Sequence, residues 1–400
     1  MSDGEGQVAD SRARVAVIFG GRSVEHEVSV LTGLQFLSAL DPDRYLGMPV
    51  YIDPQGRWWT GESLRRRGFY PVEGAKFDEL KAVTLPVGLK VEGRPSLLHA
   101  RRTLLGEKIE TLTYDIAVPA LHGSHGEDGT IQGLFEFAGI PYAGPRTLGA
   151  AAAMDKHFTK ELLRRHDIPV LPHALVHRPF DVHFVEERDV LPLVERTLGP
   201  DPFPVIVKPR RLGSSVGVQA VRDRDALIAA VNAIFRLDNA ALVEPLVPDL
   251  VEYNVAVRRQ QGSLTTSAIE RPLRPGEGVL GFSDKYLAGA DGTPKIEEAA
   301  GEGLADQNRE INPADLSEQQ ERLIREAART AFAAFDLAGS ARIDFLCNGA
   351  TGEIWLNEVN AIPGSFAYYL WQVAADPVSF TELAHLLIEE GFELHRRAHG

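Results

Sequence analysis

The sequence predicts an α/β protein of several domains that opens on a parallel sheet, and three observations predict it. The chain has 400 residues, 44% of them hydrophobic, which is more than one compact core usually holds. Arg14 to Phe19 (RVAVIF), rich in β-branched residues, runs into Gly20 and Gly21 and then into a helical pattern from Glu25 to Leu40. Asp115 to Gly123 (DIAVPALHG) repeats the arrangement as a buried-type strand and a glycine-rich loop, followed by a helical segment around Ile131 to Ala138 and the apolar run IPYAG. Strand and helix in alternation build a parallel sheet covered by helices, with ligand-facing loops at the strand ends.

Between these units, Tyr45 to Thr113 has no helical period and reads as an insert of short strands and connections. Leu148 to His166 is an alanine-rich helix, and proline-punctuated strands follow near Pro169 to Val176. Phe203 to Pro209 (FPVIVKP) is a strand entering RRLGSSVGV; a helix over Asp225 to Phe235 and a strand over Ala241 to Val247 come next. A long amphipathic helix, Ser317 to Phe335, precedes a hairpin and a C-terminal helix. The expected boundaries are a loose tail over 1–13, a first domain over 14–147 with its insert at about 45–113, a central unit over 148–250 and a C-terminal unit over 251–397.

Composition narrows the function. A formal charge of −14 disfavours a nucleic-acid backbone or an anionic membrane as partner, because both are repelled at long range. The single cysteine, Cys347, cannot form an internal disulfide, which fits a cytoplasmic setting. The polar first dozen residues hold no signal-peptide core, and no apolar run approaches the eighteen residues of a membrane span.

The most informative stretch is ARIDFLCNGATGEIWLNEVN, residues 341–360. Two strands flank a loop whose glycines and Asn suit a hairpin. Arg342 and Asp344 share one face, and Glu358 and Asn360 share one face of the partner. If Cys347 and Glu353 close the hairpin, Arg342 lies opposite Glu358 and the four polar groups cluster. Two carboxylates and an amide oxygen suit magnesium, and the guanidinium suits charge on a transferring group. A salt-bridged hairpin with a solvated face is the alternative.

Three loops add weaker signals. Lys208 ends a strand before Gly213, Ser214, Ser215 and Gly217, a pattern that can wrap backbone N–H groups around phosphate without being a Walker A loop. HGSHGEDG, His122 to Gly129, can present His122 to a ligand or be a plain turn. GGRSVEHEVS, Gly20 to Ser29, lacks dinucleotide spacing; Glu25 can meet a ligand ammonium or merely complement the helix dipole.

GGRSVEHEVS, ALHGSHGEDGTIQG, MDK at Met154 to Lys156, VIVKP with GSSVG, DKYL at Asp284 to Leu287, RID at Arg342 to Asp344 and NEVNAIPG at Asn357 to Gly364 occur in this order. In content and order they resemble the D-alanine–D-alanine ligase family of the ATP-grasp superfamily. The resemblance implies a three-domain ATP-grasp architecture with an N-terminal Rossmann-like domain, and an ADP-forming ligase that uses ATP with two magnesium ions, or manganese in their place. It implies that Lys156, Lys208, Glu244 and Lys285 contact ATP beside the loop of Gly213, Ser214 and Ser215, with Glu252 on the ribose. Asp344, Glu358 and Asn360 would hold the metal ions. Glu25 would receive the ammonium of the first D-alanine, with His122 near its carboxylate and Ser214 and Tyr286 closing the pocket. Arg342 and the N–H of Gly364 would stabilise the tetrahedral intermediate, and Lys285 and Tyr286 would ride on a mobile cover. A homodimer and peptidoglycan synthesis follow from the same resemblance.

Two departures from the family pattern stand out. Leu212 replaces the usual acid before Gly-Ser-Ser, and Tyr369 stands where a serine would hold the second substrate's carboxylate, so that Ser365 or a tyrosine is expected to compensate. The rival readings are a ligase joining D-alanine to a different amine or hydroxy acid, a catalytically silent nucleotide binder and, weakest, a dehydrogenase.

Overall fold

A computed structural model describes residues 11–103, 106–181, 184–273 and 309–399. The β-branched run near the N-terminus forms β1 (Ala13–Gly20), so strand begins at the last residue of the expected tail. β2 (Tyr45–Ile52) and β8 (Ile116–Pro119) flank β1 in parallel. β3 (Trp58–Thr60) and β4 (Lys81–Val83) continue the sheet antiparallel, in the order β4-β3-β2-β1-β8. The sheet is thus mixed, and Tyr45 opens a core strand rather than an insert. Gly47 and Pro49 break the alternating pattern of β2, although Val50, Tyr51 and Ile52 are buried. The expected short strands begin after it; β5 (Lys90–Val91), β6 (Arg94–Thr103) and β7 (Gly106–Thr113) form a separate three-stranded sheet.

Helix α1 (His26–Ala39) lies directly on β1. Gly33 allows this, since a Cβ there would fall 2.4 Å from the Phe19 ring. On the far side of β8 comes α2 (Thr130–Ala138). The single helix expected over Leu148 to His166 is two, α3 (Thr147–Met154) and α4 (Lys156–Arg164). Asp155 makes the break: in an extended conformation, its carboxylate accepts from the Phe158 N–H at 3.0 Å and caps α4. It also takes Arg210 Nε at 2.7 Å and Arg211 Nε at 3.2 Å, while Lys156 N donates to Arg210 O at 3.0 Å. One carboxylate therefore fixes Lys156 at the start of a helix and against the strand that carries Lys208.

The central sheet is antiparallel, in the order β11-β10-β12-β9, from β9 (Ala174–His177), β10 (Val205–Pro209), β11 (Gln219–Val221) and β12 (Ala240–Pro245). α5 (Glu187–Leu198) and α6 (Arg224–Ile234) cover one face, packing Val190, Val194, Leu227 and Val231 against Val205, Val207 and Val243. Strand alternation leaves Lys208 and Glu244 for the other face.

The C-terminal sheet, ordered β15-β14-β13-β16-β17, consists of β13 (Leu250–Gln260), β14 (Ser263–Pro272), β15 (Arg309–Ile311), β16 (Ala341–Asn348) and β17 (Ile354–Asn360). Ser317 and Gln320 form a reciprocal cap on α7 (Glu318–Ala334), whose Ile324, Ala328 and Phe332 bury against Val255, Ile343 and Phe345. After β17, a short helix α8 (Tyr368–Trp371) and α9 (Phe380–His399) return to the first sheet. Phe366, Leu370, Trp371 and Leu383 share one core with Val15, Phe19, Phe36 and Leu37.

Replacing Asp155 with alanine removes the α4 cap and both arginine anchors. The expected cost is about 1–2 kcal/mol in chemical denaturation, and unchanged stability would contradict the assigned role.

Candidate active site

One pocket gathers residues from all three main sheets. Its lining includes Glu25, His122, Glu127, Lys156, Gly213, Ser214, Arg342, Glu358, Asn360 and Gly364. The hairpin that supplies the polar cluster is not in the expected register. Cys347 pairs with Ile354, and a bulge after Asp344 moves the pairing again, so Arg342 faces Asn360 and Asp344 faces Glu358. The two shifts together displace the strand by two residues, and a displacement of two keeps every side chain on its face. The expected cluster therefore forms through a different pairing. The bulge also brings Asn357, which the sequence reading missed, to Lys208 Nζ at 3.1 Å.

Arg342 holds Asp344 in a fork, Nε to Oδ1 at 2.7 Å and Nη2 to Oδ2 at 2.8 Å. Asn360 Nδ2 donates to Asp344 Oδ2 at 3.0 Å, which turns its nitrogen to the carboxylate and leaves its oxygen for a cation. Glu358 Oε2 lies 3.8 Å from Lys156 Nζ. Two carboxylates and an amide oxygen on one face are the hard donors that magnesium takes, so the donor set fits that ion. Glu252 pairs with Leu346, on the same face of the sheet as Arg342 and Asp344.

Behind this face is a buried charged trio. Glu244 forms ion pairs with Lys208 at 2.8 Å and with Lys160 at 3.2 Å. Burial alone would raise the Glu244 carboxyl, but Lys160 and Lys208 outweigh it and hold the group near 2. Lys160 is pushed down to about 8, chiefly by burial, because it has only one carboxylate to share with a second ammonium. Lys160 was not singled out in the sequence, although it lies one helical turn after Lys156. Lys156 donates to Leu212 O at 2.6 Å and is lowered by its burial, against the opposing pull of Glu358. The Leu212 contact is made by its main-chain carbonyl, which does not depend on the side chain at that position.

On the substrate side, Ser214 donates to Glu25 Oε1, joining the glycine loop to the N-terminus of α1. Gly213 lets the loop approach Glu25 closely, since a Cβ there would lie 3.1 Å from both Glu25 oxygens. Burial, and next the charge of Glu127, raises the Glu25 carboxyl above the ordinary range; Ser214, His122 and Lys156 oppose the shift. Glu127 ties the pocket floor together, accepting from Gly123 N at 2.9 Å and Ile362 N at 3.2 Å. Ser365 does not face the pocket as expected. It gives its hydroxyl to Gln35, its N–H reaches Thr32 Oγ1 at 3.1 Å, and Tyr369 donates to Glu270 at 3.2 Å. Lys285 and Tyr286 lie outside the described residues.

Among the described residues His157, Glu161 and His173 also bring ligand atoms within 4.8 Å of one another. Arg164 already donates to Glu161 and to His173, so this is a neutralised cluster rather than a second metal centre.

Mixed and antiparallel sheets that close on a phosphate-type loop and a carboxylate hairpin define an ATP-grasp ligase. The comparisons are specific. Residues 14–145 match the family model for the D-ala D-ala ligase N-terminus, and residues 162–389 match that for its C-terminus. The D-alanine–D-alanine ligase of Ruminiclostridium cellulolyticum is 34% identical, over 96% of each chain, and that of Thermosipho africanus is 32% identical, over 95% of this chain and 93% of its own. The solved D-alanine-D-alanine ligase of Coxiella burnetii superposes with a TM-score of 0.75 at 26% identity, covering 97% of this chain and 96% of its own. The VanG D-Ala:D-Ser ligase of Enterococcus faecalis gives 0.72 at 26%, covering 96% and 99%. The chain belongs to the D-alanine–D-alanine ligase family and is an ADP-forming ligase.

Two outcomes test the electrostatics. Glu244→Gln leaves two buried ammonium groups facing a neutral amide and is expected to cost about 3 kcal/mol, part of which Lys160→Met recovers in the double variant; a Glu244→Gln protein as stable as the parent would contradict the trio. Because the folded Glu244 value lies below the unfolded one, its contribution holds at neutral pH and is lost as pH falls from the ordinary carboxylate range towards 2. Glu25 has the opposite sign: its folded value is raised, so its ionised form at neutral pH opposes folding. Glu25→Gln is expected to raise the melting temperature by about 2 °C, and a lowered one would contradict this.

Proposed function

We propose the following division of labour for the reaction this chain carries out, the ATP-dependent joining of two D-alanine molecules to D-alanyl-D-alanine for peptidoglycan precursors. The observation that carries it is the meeting of Glu25, His122, Lys156, Arg342, Glu358, Asn360 and Gly364 in one pocket. Glu25 receives the ammonium of the first D-alanine, whose charge also relieves the cost of burying this carboxylate. His122 steadies that substrate's carboxylate. Lys156, Lys208 and Glu244 contact the ATP, Glu244 also keeps Lys208 aimed, and Glu252 takes the ribose. Gly213, Ser214 and Ser215 wrap the phosphate chain.

Asp344, Glu358 and Asn360 would hold magnesium, or manganese in its place, which when bound would supply positive charge beside the phosphate oxygens. The donor carboxylate then attacks the γ-phosphorus, ADP leaves, and an acyl phosphate forms. The amine of the second D-alanine attacks the activated carbonyl; Arg342 and the Gly364 N–H take up the developing oxyanion, and phosphate departs. Exclusion of water protects the acyl phosphate from hydrolysis.

One observation supports a second reading, a different acceptor. Ser365 and Tyr369 are both turned to protein partners, so the acceptor carboxylate lacks the serine that the family pattern provides. We further propose the domain boundaries 14–147, 148–250 and 251–397, a homodimer and a cytoplasmic location. Among the described residues no helix is long and apolar enough to cross a membrane.

Phosphate release and product mass from ATP, magnesium and D-alanine, then with added D-amino and D-hydroxy acids, test the reading. It predicts dipeptide from D-alanine alone, with loss of at least about a hundredfold in Glu358→Gln. Turnover only with another acceptor would move the assignment to that ligase, and no phosphate release with any acceptor would contradict both readings.

A further inference from the structure

Thr32 is 1% exposed, on the inner face of α1, and its hydroxyl makes two contacts. It accepts from the Ser365 N–H at 3.1 Å and meets His122 Nε2 at 2.9 Å. A hydroxyl has one proton to give. If His122 Nε2 carried a proton, Thr32 would accept twice, and its own buried proton would be left without an acceptor among the described residues, a costly arrangement. The satisfied arrangement has Thr32 donating to an unprotonated Nε2. The His122 proton is then on Nδ1, which faces the Glu127 carboxylate at 3.8 Å, where a bare nitrogen lone pair would be repelled. Both ends of the ring require the same tautomer.

The other contact of Thr32 falls on a strained element. Ser365, Phe366 and Ala367 have φ values of 53°, 53° and 54°, three successive non-glycine residues in the left-handed region. Such a turn persists only when its surroundings fix it. Phe366 O accepts from Ser340 Oγ at 2.8 Å, the Phe366 ring lies 5.0 Å from Phe36, and Ser365 is held from α1 by Thr32 and Gln35. Gly364, which lines the pocket, begins this turn.

We propose that Thr32 is a positioning residue that acts through two others: its hydroxyl holds His122 with the proton on Nδ1, facing the pocket, and seats the Gly364–Ala367 turn against α1. Its kinetic consequence rests on the reading above that His122 meets the donor D-alanine; the tautomer does not. Thr32 is not among the residues that line the pocket. By way of one hydroxyl, the donor side of the pocket and the backbone that receives the oxyanion are set together.

The test is the ¹⁵N resonance pattern of His122 in histidine-labelled full-length protein, identified by its loss in His122→Gln, together with kinetics of Thr32→Val and Thr32→Ser. Wild type is expected to show a protonated Nδ1 and a bare Nε2. Thr32→Val, which keeps the branched shape, is expected to lose that pattern and to raise the KM for D-alanine about tenfold, with the KM for ATP within about twofold. Thr32→Ser is expected to restore both. A wild-type ring protonated at Nε2 overturns the proposal without need of any variant, as does an unchanged His122 pattern in Thr32→Val. If the pattern shifts as expected in Thr32→Val while His122→Gln leaves the KM for D-alanine unchanged, the tautomer assignment stands and the placement of His122 on the substrate fails.

Discussion

The site depends on one packing constraint, the burial of the segment after β17 in the core of the first sheet. Phe366 and Trp371 are almost fully buried and share a core with Phe36 and Phe19. Burial of each such ring is worth about 2–3 kcal/mol, enough to offset a left-handed turn that costs roughly 1–2 kcal/mol per residue. That packing brings Gly364 to the pocket that Glu25 lines, although the two lie at opposite ends of the chain, and the hydrogen bonds of Ser365 to Thr32 and Gln35 and of Ile362 to Glu127 add to it. Trp371 Nε1 donating to Ser340 at 2.9 Å, and Ser340 to Phe366 O, add direction to a contact that apolar burial alone leaves unoriented.

A second link closes the pocket from the central sheet. Ser214 reaches Glu25, and Lys156 reaches Leu212 O, so the glycine loop is attached at both sides of its turn. Asp155 stands behind this arrangement, stopping α3, starting α4 and gathering Arg210 and Arg211. The buried trio of Lys160, Glu244 and Lys208 has the same logic in charge: a net positive site, kept dry, in a chain whose overall charge is −14. An anionic ligand repelled at long range is held by local cations in a medium where they act strongly.

Much of this was legible in the residues. The order of short motifs gave the family, and strand alternation put Arg342, Asp344, Glu358 and Asn360 on one face, because faces survive a two-residue slip. The pairing itself was not legible, since a bulge is set by how the hairpin fits its sheet and left no mark at Asn357. Asp155 looked like one more residue of an alanine-rich helix, and its hold on Arg210 and Arg211 could not be read there, because they come from the segment after β10, more than fifty positions away. β2 was concealed by Gly47 and Pro49. Thr32 and Lys160 are ordinary helix residues in the sequence and gain their roles from His122 and Glu244, 90 and 84 positions away respectively. That Ser365, expected at the acceptor end, gives its hydroxyl to Gln35 was not legible either, because the two are 330 positions apart.

The central claim is that this pocket activates a carboxylate by phosphoryl transfer before the amine attacks. The most direct measurement is turnover of D-alanine labelled with ¹⁸O in its carboxylate, with mass analysis of the inorganic phosphate. The account predicts one labelled oxygen per phosphate released, because the bond from that oxygen to phosphorus forms first and the bond from it to carbon breaks second. Phosphate without label, alongside dipeptide product, would contradict it.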